Sequence, residues 1–179
     1  MKILIVGAGI HGCFLSLYLK KFKKKNQIYL LEKNSEICVS SSAATHNRAN
    51  RGFHYPRSTV TANECKLGWD FFKKYYSKFF FNIKNSYYLI EKNSLVSFSN
   101  YKKFLIKNKY QFKENFPKNI NIKKKYISGS FEVFEGCFDH EKLKKYLNKE
   151  IKKNKIRLFK NFELKDIKYD TDNKILRLN

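Results

Sequence analysis

The chain has 179 residues, 42% of them hydrophobic and 17% aromatic, which is enough for a packed core and excludes wholesale disorder. No run approaches the roughly 18 apolar residues of a membrane span, and the opening Met1–Val6 stretch is too short for a signal peptide and meets glycines instead of a cleavage site, so a cytoplasmic protein is expected. The formal charge of +23 invites an anionic partner, but it comes almost wholly from lysines spread along the chain beside abundant Asn, Ile, Phe and Tyr; A/T-rich codons give that profile, there is no nucleic-acid-binding signature, and no nucleic-acid partner is expected.

Lys2–Val6 is a short apolar run bounded by glycine and predicts a buried parallel strand. Ile10 to about Lys24 predicts a helix, with Phe14, Leu15, Tyr18, Leu19 and Phe22 recurring at helical spacing and Lys20–Lys25 at the end where cations favour the helix dipole. Gln27–Leu31 predicts a second strand, closing at Glu32. Lys33–Arg57 is a polar loop, and a loop of that length inside a compact domain is usually functional. Ser58 to about Phe81 predicts a helix capped by Ser58 or Thr59, with Val60, Leu67, Phe71 and Tyr75 on one face. Ser86–Glu91 and Ser94–Phe98 predict strands joined at Asn93-Ser94, followed by a short helix from Ser99 to about Asn108. Lys107–Lys125, rich in lysine and asparagine, carries no predicted element. Tyr126–Phe134 predicts a strand, and Asp139 to about Lys153 a capped helix with Leu143, Leu147 and Ile151 in a stripe. Ile156–Phe159, Phe162–Tyr169 and Lys174–Leu178 predict terminal strands, the last two a hairpin through Asp170-Thr171-Asp172-Asn173. The four scattered cysteines (Cys13, Cys38, Cys65, Cys137) have no metal-binding spacing and read as reduced thiols.

Gly7-Ala8-Gly9-Ile10-His11-Gly12 is a G-x-G-x-x-G motif placed between a predicted strand and a predicted helix, the context its chemistry requires. Gly7 permits the tight turn, Gly9 the approach of backbone to a pyrophosphate, and Gly12 the close seating of the helix on the sheet. The helix N-terminus offers N–H donors and partial positive charge to phosphates. Glu32, at the end of the second strand, suits the hydroxyls of an unphosphorylated adenosine ribose. These residues specify a dinucleotide.

The segment that follows, Ser40-Ser41-Ser42-Ala43-Ala44-Thr45-His46-Asn47-Arg48-Ala49-Asn50-Arg51-Gly52-Phe53-His54-Tyr55-Pro56-Arg57-Ser58, resembles the corresponding loop of the D-amino-acid-oxidase-like flavoproteins. Thr45–Ser58 is most similar to the L-2-hydroxyglutarate oxidase branch, where His-Asn, a central glycine and Gly-aromatic-x-Tyr come in this order. The resemblance implies FAD as cofactor and an α/β fold: a Rossmann-like FAD-binding part at 1–82, part of an α+β substrate domain at 83–134, and a return segment with β-meander at 135–179. It also implies a C-terminally truncated chain, the N-terminal half of such an enzyme, with a partner chain as one source of the other half. The implied chemistry is oxidation of a C–N or C–OH bond in a small amino or hydroxy acid, an anionic substrate. Two alternatives stand beside it: a truncated, non-catalytic nucleotide-binding half-enzyme, and a flavin-dependent sugar-nucleotide enzyme, which usually has a Gly-Gly pair where this chain has Ser40-Ser41-Ser42.

On that resemblance Ser41 and Ser42 are candidate pyrophosphate donors, and Asn47 and Arg48 lie where the family's loop nears the cofactor. His46 is a cofactor-proximal candidate, in a position similar to the histidine through which some relatives bind flavin covalently. His54, Tyr55 and Arg57 are the substrate-side candidates: an arginine can hold a carboxylate in a bidentate pair, and a histidine can take a proton from a hydroxyl or amine. The competing reading has Phe53 and Tyr55 packed while His54 and Arg57 face water.

Overall fold

The computed structural model describes residues 1–44, 46–83, 86–118, 120–170 and 175–178. In chain order the elements are β1 (Lys2–Val6), α1 (Ile10–Phe22), β2 (Gln27–Leu31), α2 (Ser41–Ala44), β3 (Arg48–Ala49), α3 (Thr59–Tyr76), β4 (Phe80–Asn82), β5 (Ser86–Glu91), α4 (Phe98–Lys107), β6 (Phe112–Glu114), β7 (Ile127–Val133), β8 (Gly136–Phe138), α5 (His140–Lys153), β9 (Arg157–Phe159), β10 (Ile167–Asp170) and β11 (Ile175–Leu178). They form two compact units, one of residues 1–46 and 140–179, the other of residues 47–139.

The first unit is a parallel α/β sheet in the order β1-β2-β9, with Val6 opposite Leu31 and Leu31 opposite Phe159. Its core is Ile5, Ile28, Leu30 and Leu31 from the strands with Leu143, Leu147 and Ile151 from α5, the stripe expected from the sequence. Helix α1 turns a different face inward from the one expected. Cys13 and Ser16 are buried, whereas Leu15, Tyr18 and Phe22 are exposed. Small side chains on the inward face let the helix lie close to the strands, and the bulky stripe therefore points away. β10 and β11 pair antiparallel, as expected, from Ile167 opposite Leu178 to Asp170 opposite Ile175; the expected turn residues 171–173 lie outside the described residues. The expected strand from Phe162 begins only at Ile167, and residues 162–164 run as irregular chain.

The second unit holds two antiparallel sheets, β3-β8-β4 and β5-β7-β6. Its core is strongly aromatic: Phe53, Tyr101, Phe104, Tyr110 and Phe131 pack with Ile90, Leu105 and Val133. Phe98 stacks on Phe131 at 4.5 Å between ring centroids, favourable for two apolar rings. Several expectations are corrected here. Helix α3 stops at Tyr76, because Phe80–Asn82 pairs with β8. Gly136–Phe138, which carried no predicted strand, is the central strand of its sheet, hydrogen-bonded on one side to β3 and on the other to β4. Ser94–Phe98 is not a strand: Ser97 caps α4 by accepting a hydrogen bond from Asn100 N–H at 3.2 Å. Phe112–Glu114 pairs with β7, within a stretch that carried no predicted element. The expected boundaries at 82/83 and 134/135 both fall inside this unit, because β8 ties β3 and β4 together.

On α3 the inward stripe is Ala62, Cys65, Trp69, Phe72 and Tyr76, while Val60, Leu67, Phe71 and Tyr75 are exposed. Ser58 caps this helix, accepting from Thr61 N–H at 3.2 Å. Ser58→Ala is expected to lower unfolding free energy by about 1 kcal/mol in a urea titration; an unchanged midpoint would mean that the cap bond contributes nothing. Among the described residues no helix is long and apolar enough to cross a membrane.

Candidate functional site

The chemistry gathers in the first unit at the carboxyl ends of β1 and β2, where parallel α/β sheets hold their ligands. Gly7 follows β1 with φ +94°, a left-handed conformation that disfavours any side chain. Its N–H donates to the Leu31 carbonyl at 2.8 Å, joining the turn to the end of β2. A Cβ on Gly12 would stand 1.9 Å from the Gly7 carbonyl oxygen, so helix α1 can sit against its own turn only with glycine there. Gly9 is the N-cap of α1; no side chain caps the helix and no acidic residue stands in its first turn, so no carboxylate there offsets the positive end of its dipole.

Glu32 is buried and organises the turn. One carboxylate oxygen accepts from Ala8 N–H at 2.8 Å; the other accepts from Asn34 N–H at 3.0 Å and from the Asn34 side-chain amide at 2.6 Å. A carboxylate has about four acceptor positions, so one remains for a ligand hydroxyl. The Asn34 amide also donates to Ser40 Oγ at 3.0 Å, extending the network along the loop. Lys144 on α5 pairs with Glu36, and this cation holds the Glu36 carboxyl below the usual carboxylate range.

Around these groups lies a cavity of about 300 Å³, walled by Val6, Gly7, Gly9, Glu32, Ser40 and Ser41 among others, and closed on one side by Phe162, Glu163 and Leu164. Of the cofactor candidates named from the sequence, Gly7, Gly9, Glu32 and Ser41 thus share one cavity. The side chain of Ser42 lies outside the described residues, and His46 is exposed. Asn34, Ser40 and the Phe162–Leu164 wall were missed by sequence reasoning. An asparagine two residues after the acidic residue was the available signal for the first; the wall comes from a distant segment and had none.

The other candidates lie in the second unit. Arg48 pairs with Glu135 at 3.0 Å and hydrogen-bonds the Tyr88 hydroxyl, so its charge is already balanced. Glu135 is 1% exposed; it also accepts from Tyr88 Oη at 3.1 Å and from Arg51 N–H at 3.2 Å. Burial, then the Glu135 charge, pushes the Tyr88 phenol up, which keeps it a protonated donor at neutral pH. His54 is exposed and lies 6.3 Å from Tyr88 and 5.7 Å from Tyr55 between ring centroids. Tyr55 is half-buried and Arg57 exposed. Phe53 is fully buried and its carbonyl accepts from Tyr101 Oη at 2.6 Å, anchoring the turn that presents His54. Asn47, at φ +52°, accepts from Phe138 N–H through its carbonyl at 2.9 Å. Glu135 and Tyr88 were not read as site residues, because their partners are remote in sequence.

A parallel βαβ unit with a glycine turn and an acidic residue closing the second strand defines a dinucleotide-binding protein. The sequence matches the FAD dependent oxidoreductases (DAO) over residues 2–178, and the chain belongs to that family. Its fold is similar to that of L-alpha-glycerophosphate oxidase from Mycoplasma pneumoniae with FAD bound, at TM-score 0.67 and 22% identity over 96% of this chain and 47% of that one. It is also similar to L-proline dehydrogenase from P. horikoshii, at TM-score 0.67 and 18% identity over 96% of this chain and 46% of that one. A segment of 66 residues is 36% identical to the FAD-dependent monooxygenase kojA of Aspergillus flavus, covering 37% of this chain and 15% of that protein. The chain thus spans just under half the length of the two solved relatives, 47% and 46%.

Glu32→Gln would set an amide NH₂ against one of the N–H donors that the carboxylate now accepts. The expected cost is about 2 kcal/mol in chemical denaturation, with weaker FAD binding in a fluorescence titration. A variant with wild-type stability and affinity would show that the network does not organise the turn.

Proposed function

We propose that this chain binds FAD in the cavity of its first unit and belongs to an enzyme that oxidises a C–N or C–OH bond of a small amino or hydroxy acid. The cavity shared by Gly7, Gly9, Glu32 and Ser41 carries the reading. The donor set fits the group: the glycine turn and the α1 N-terminus suit pyrophosphate, Ser41 adds a hydroxyl donor, and the remaining Glu32 acceptor suits a ribose. FAD would accept a hydride from substrate, and the protein's part is to bind, orient and tune it.

Gly7, Gly9 and Gly12 would shape the pyrophosphate cradle, with Ser41 and Ser42 donating to it and His46 and Asn47 close to the cofactor. Arg48 positions its segment through Glu135. His54, Tyr55 and Arg57 would face an anionic substrate, Arg57 holding its carboxylate and His54 accepting a proton; the Tyr101–Phe53 hydrogen bond, which anchors their turn, supports this assignment, whereas a buried Phe53 beside an exposed His54 and Arg57 is the pattern of the competing reading. The order His46-Asn47, Gly52-Phe53 and Tyr55 supports a place near the hydroxyglutarate-oxidase branch. The similar solved enzymes are a glycerophosphate oxidase and a proline dehydrogenase, which supports the wider substrate class. The nucleotide part of the fold would correspond to residues 1–46 and 140–179, and residues 47–139 would supply part of the substrate side. Four free cysteines support a reducing, cytoplasmic setting.

A second reading has its own support. The bulky residues Leu15, Tyr18 and Phe22 on α1, and Val60, Leu67, Phe71 and Tyr75 on α3, are exposed. Such faces suit cover by further polypeptide, in this chain or a partner, and a half-enzyme left uncovered would bind nucleotide without turnover. Titration of the purified protein with FAD tests both readings. Saturable quenching of flavin fluorescence with flavin reduction by an amino or hydroxy acid supports the enzyme, binding without reduction supports the half-enzyme, and no uptake overturns both.

A further inference from the structure

We propose that Cys13 and Cys38 are a redox pair beneath the dinucleotide turn, closing to a reversible disulfide when a hydroperoxide enters the cavity. Both thiols are buried, and both donate to the same acceptor, the Ala8 carbonyl, from Cys13 Sγ at 3.3 Å and from Cys38 Sγ at 3.6 Å. Cys38 belongs to the cavity wall, so a small oxidant reaches it by the route a ligand takes. Its backbone is held in the left-handed region at φ +58°, a conformation that a non-glycine residue keeps only when its surroundings enforce it. The enforcement is visible: Cys38 N–H donates to Ala8 O at 3.0 Å, and Cys38 O is bonded to His140 Nε2 at 2.9 Å. The loop after β2 is thereby fastened where its thiol meets the one on α1.

The two sulfurs have unequal acidity. The hydrogen bond with Cys13, aided by the Lys144 cation, lowers Cys38, while that same bond and burial push Cys13 up. This asymmetry suits Cys38 to be the attacking sulfur and Cys13 the thiol that resolves it, the division that peroxide chemistry needs. The Cys38 thiolate attacks one peroxide oxygen and breaks the O–O bond, giving Cys38 sulfenic acid and hydroxide. Cys13 Sγ then attacks the Cys38 sulfur, forming the S–S bond and releasing water with the Cys13 proton. The two sulfurs together lose two electrons and the peroxide gains them. Closure removes two donors from the Ala8 carbonyl and ties the loop that carries Ser40 and Ser41 to helix α1.

The test uses the purified chain with hydrogen peroxide and no added flavin, followed by unfolding, alkylation and mass spectrometry. We expect two of the four cysteines to escape alkylation, a loss of about 2 Da, and a linked Cys13–Cys38 peptide that dithiothreitol separates. Cys13→Ser should stop the reaction at Cys38 sulfenic acid, trapped as a dimedone adduct, and Cys38→Ser should leave every remaining thiol alkylatable. Full alkylation of the peroxide-treated wild-type chain, or linkage through Cys65 or Cys137, would overturn the proposal. Neither arm needs FAD, so the result stands apart from the functional reading.

Discussion

Gly12→Val is expected to cost about 3 kcal/mol or more of stability and to bring dinucleotide binding below detection. Even the first carbon of a side chain would lie 1.9 Å from the Gly7 carbonyl oxygen. The atom in the way is backbone, and it belongs to the turn whose N–H is bonded to Leu31 O at 2.8 Å, so it cannot retreat without detaching the turn from β2. For a chain of this size the loss corresponds to a fall in melting temperature of about 10 °C. Thermal melts with and without FAD provide the measurement. A variant that melts and binds like wild type would show that α1 is not seated on the turn, and Gly12→Ala should fall between the two.

The second large effect is expected at Arg48→Met, at about 3 kcal/mol. Arg48 is 37% exposed and can be hydrated when unpaired, but Glu135, at 2% side-chain exposure, cannot. Removing the cation leaves a buried carboxylate served, among the described residues, by the Tyr88 hydroxyl and the Arg51 N–H. That residual service places the cost at the lower end for a broken buried pair. Replacing both residues, Arg48→Met with Glu135→Leu, should be milder than the single change, since no uncompensated charge remains. Denaturation curves for the two single variants and the double variant complete the cycle. Additive losses would contradict a coupled pair.

Sequence made the nucleotide motif legible because its residues are adjacent and their context is local. Three glycines, a strand before them, a helix after them and an acidic residue at the next strand end can all be read without knowing any long-range contact. The α5 stripe was legible for the same reason, since Leu143, Leu147 and Ile151 are the only large apolar side chains at core spacing on that helix. Helices α1 and α3 misled because each carries two apolar stripes. Periodicity identifies a stripe but does not say which one meets the sheet, and on α1 the decisive feature was the smallness of Gly12, Cys13 and Ser16. Strands β3, β4 and β8 are two or three residues long and exist through their pairing with one another, which no short window of sequence contains. Glu135 was invisible as a site residue for a related reason. Its partners Arg48 and Tyr88 lie 87 and 47 residues away, and only the fold brings the three together.

The sheet order β1-β2-β9 also fixes the sequence of events in making the protein. Residue 31 pairs with residue 159, so the third strand of the nucleotide unit leaves the ribosome only after all of residues 47–139 has done so. The second unit is continuous in sequence and can close its aromatic core while the first strands still wait for their partner. The nucleotide cradle therefore matures after the second unit can close. Until β9 arrives, one edge of the apolar strand Gln27–Leu31 stays unpaired, and an unpaired apolar strand is where a nascent chain can pair wrongly.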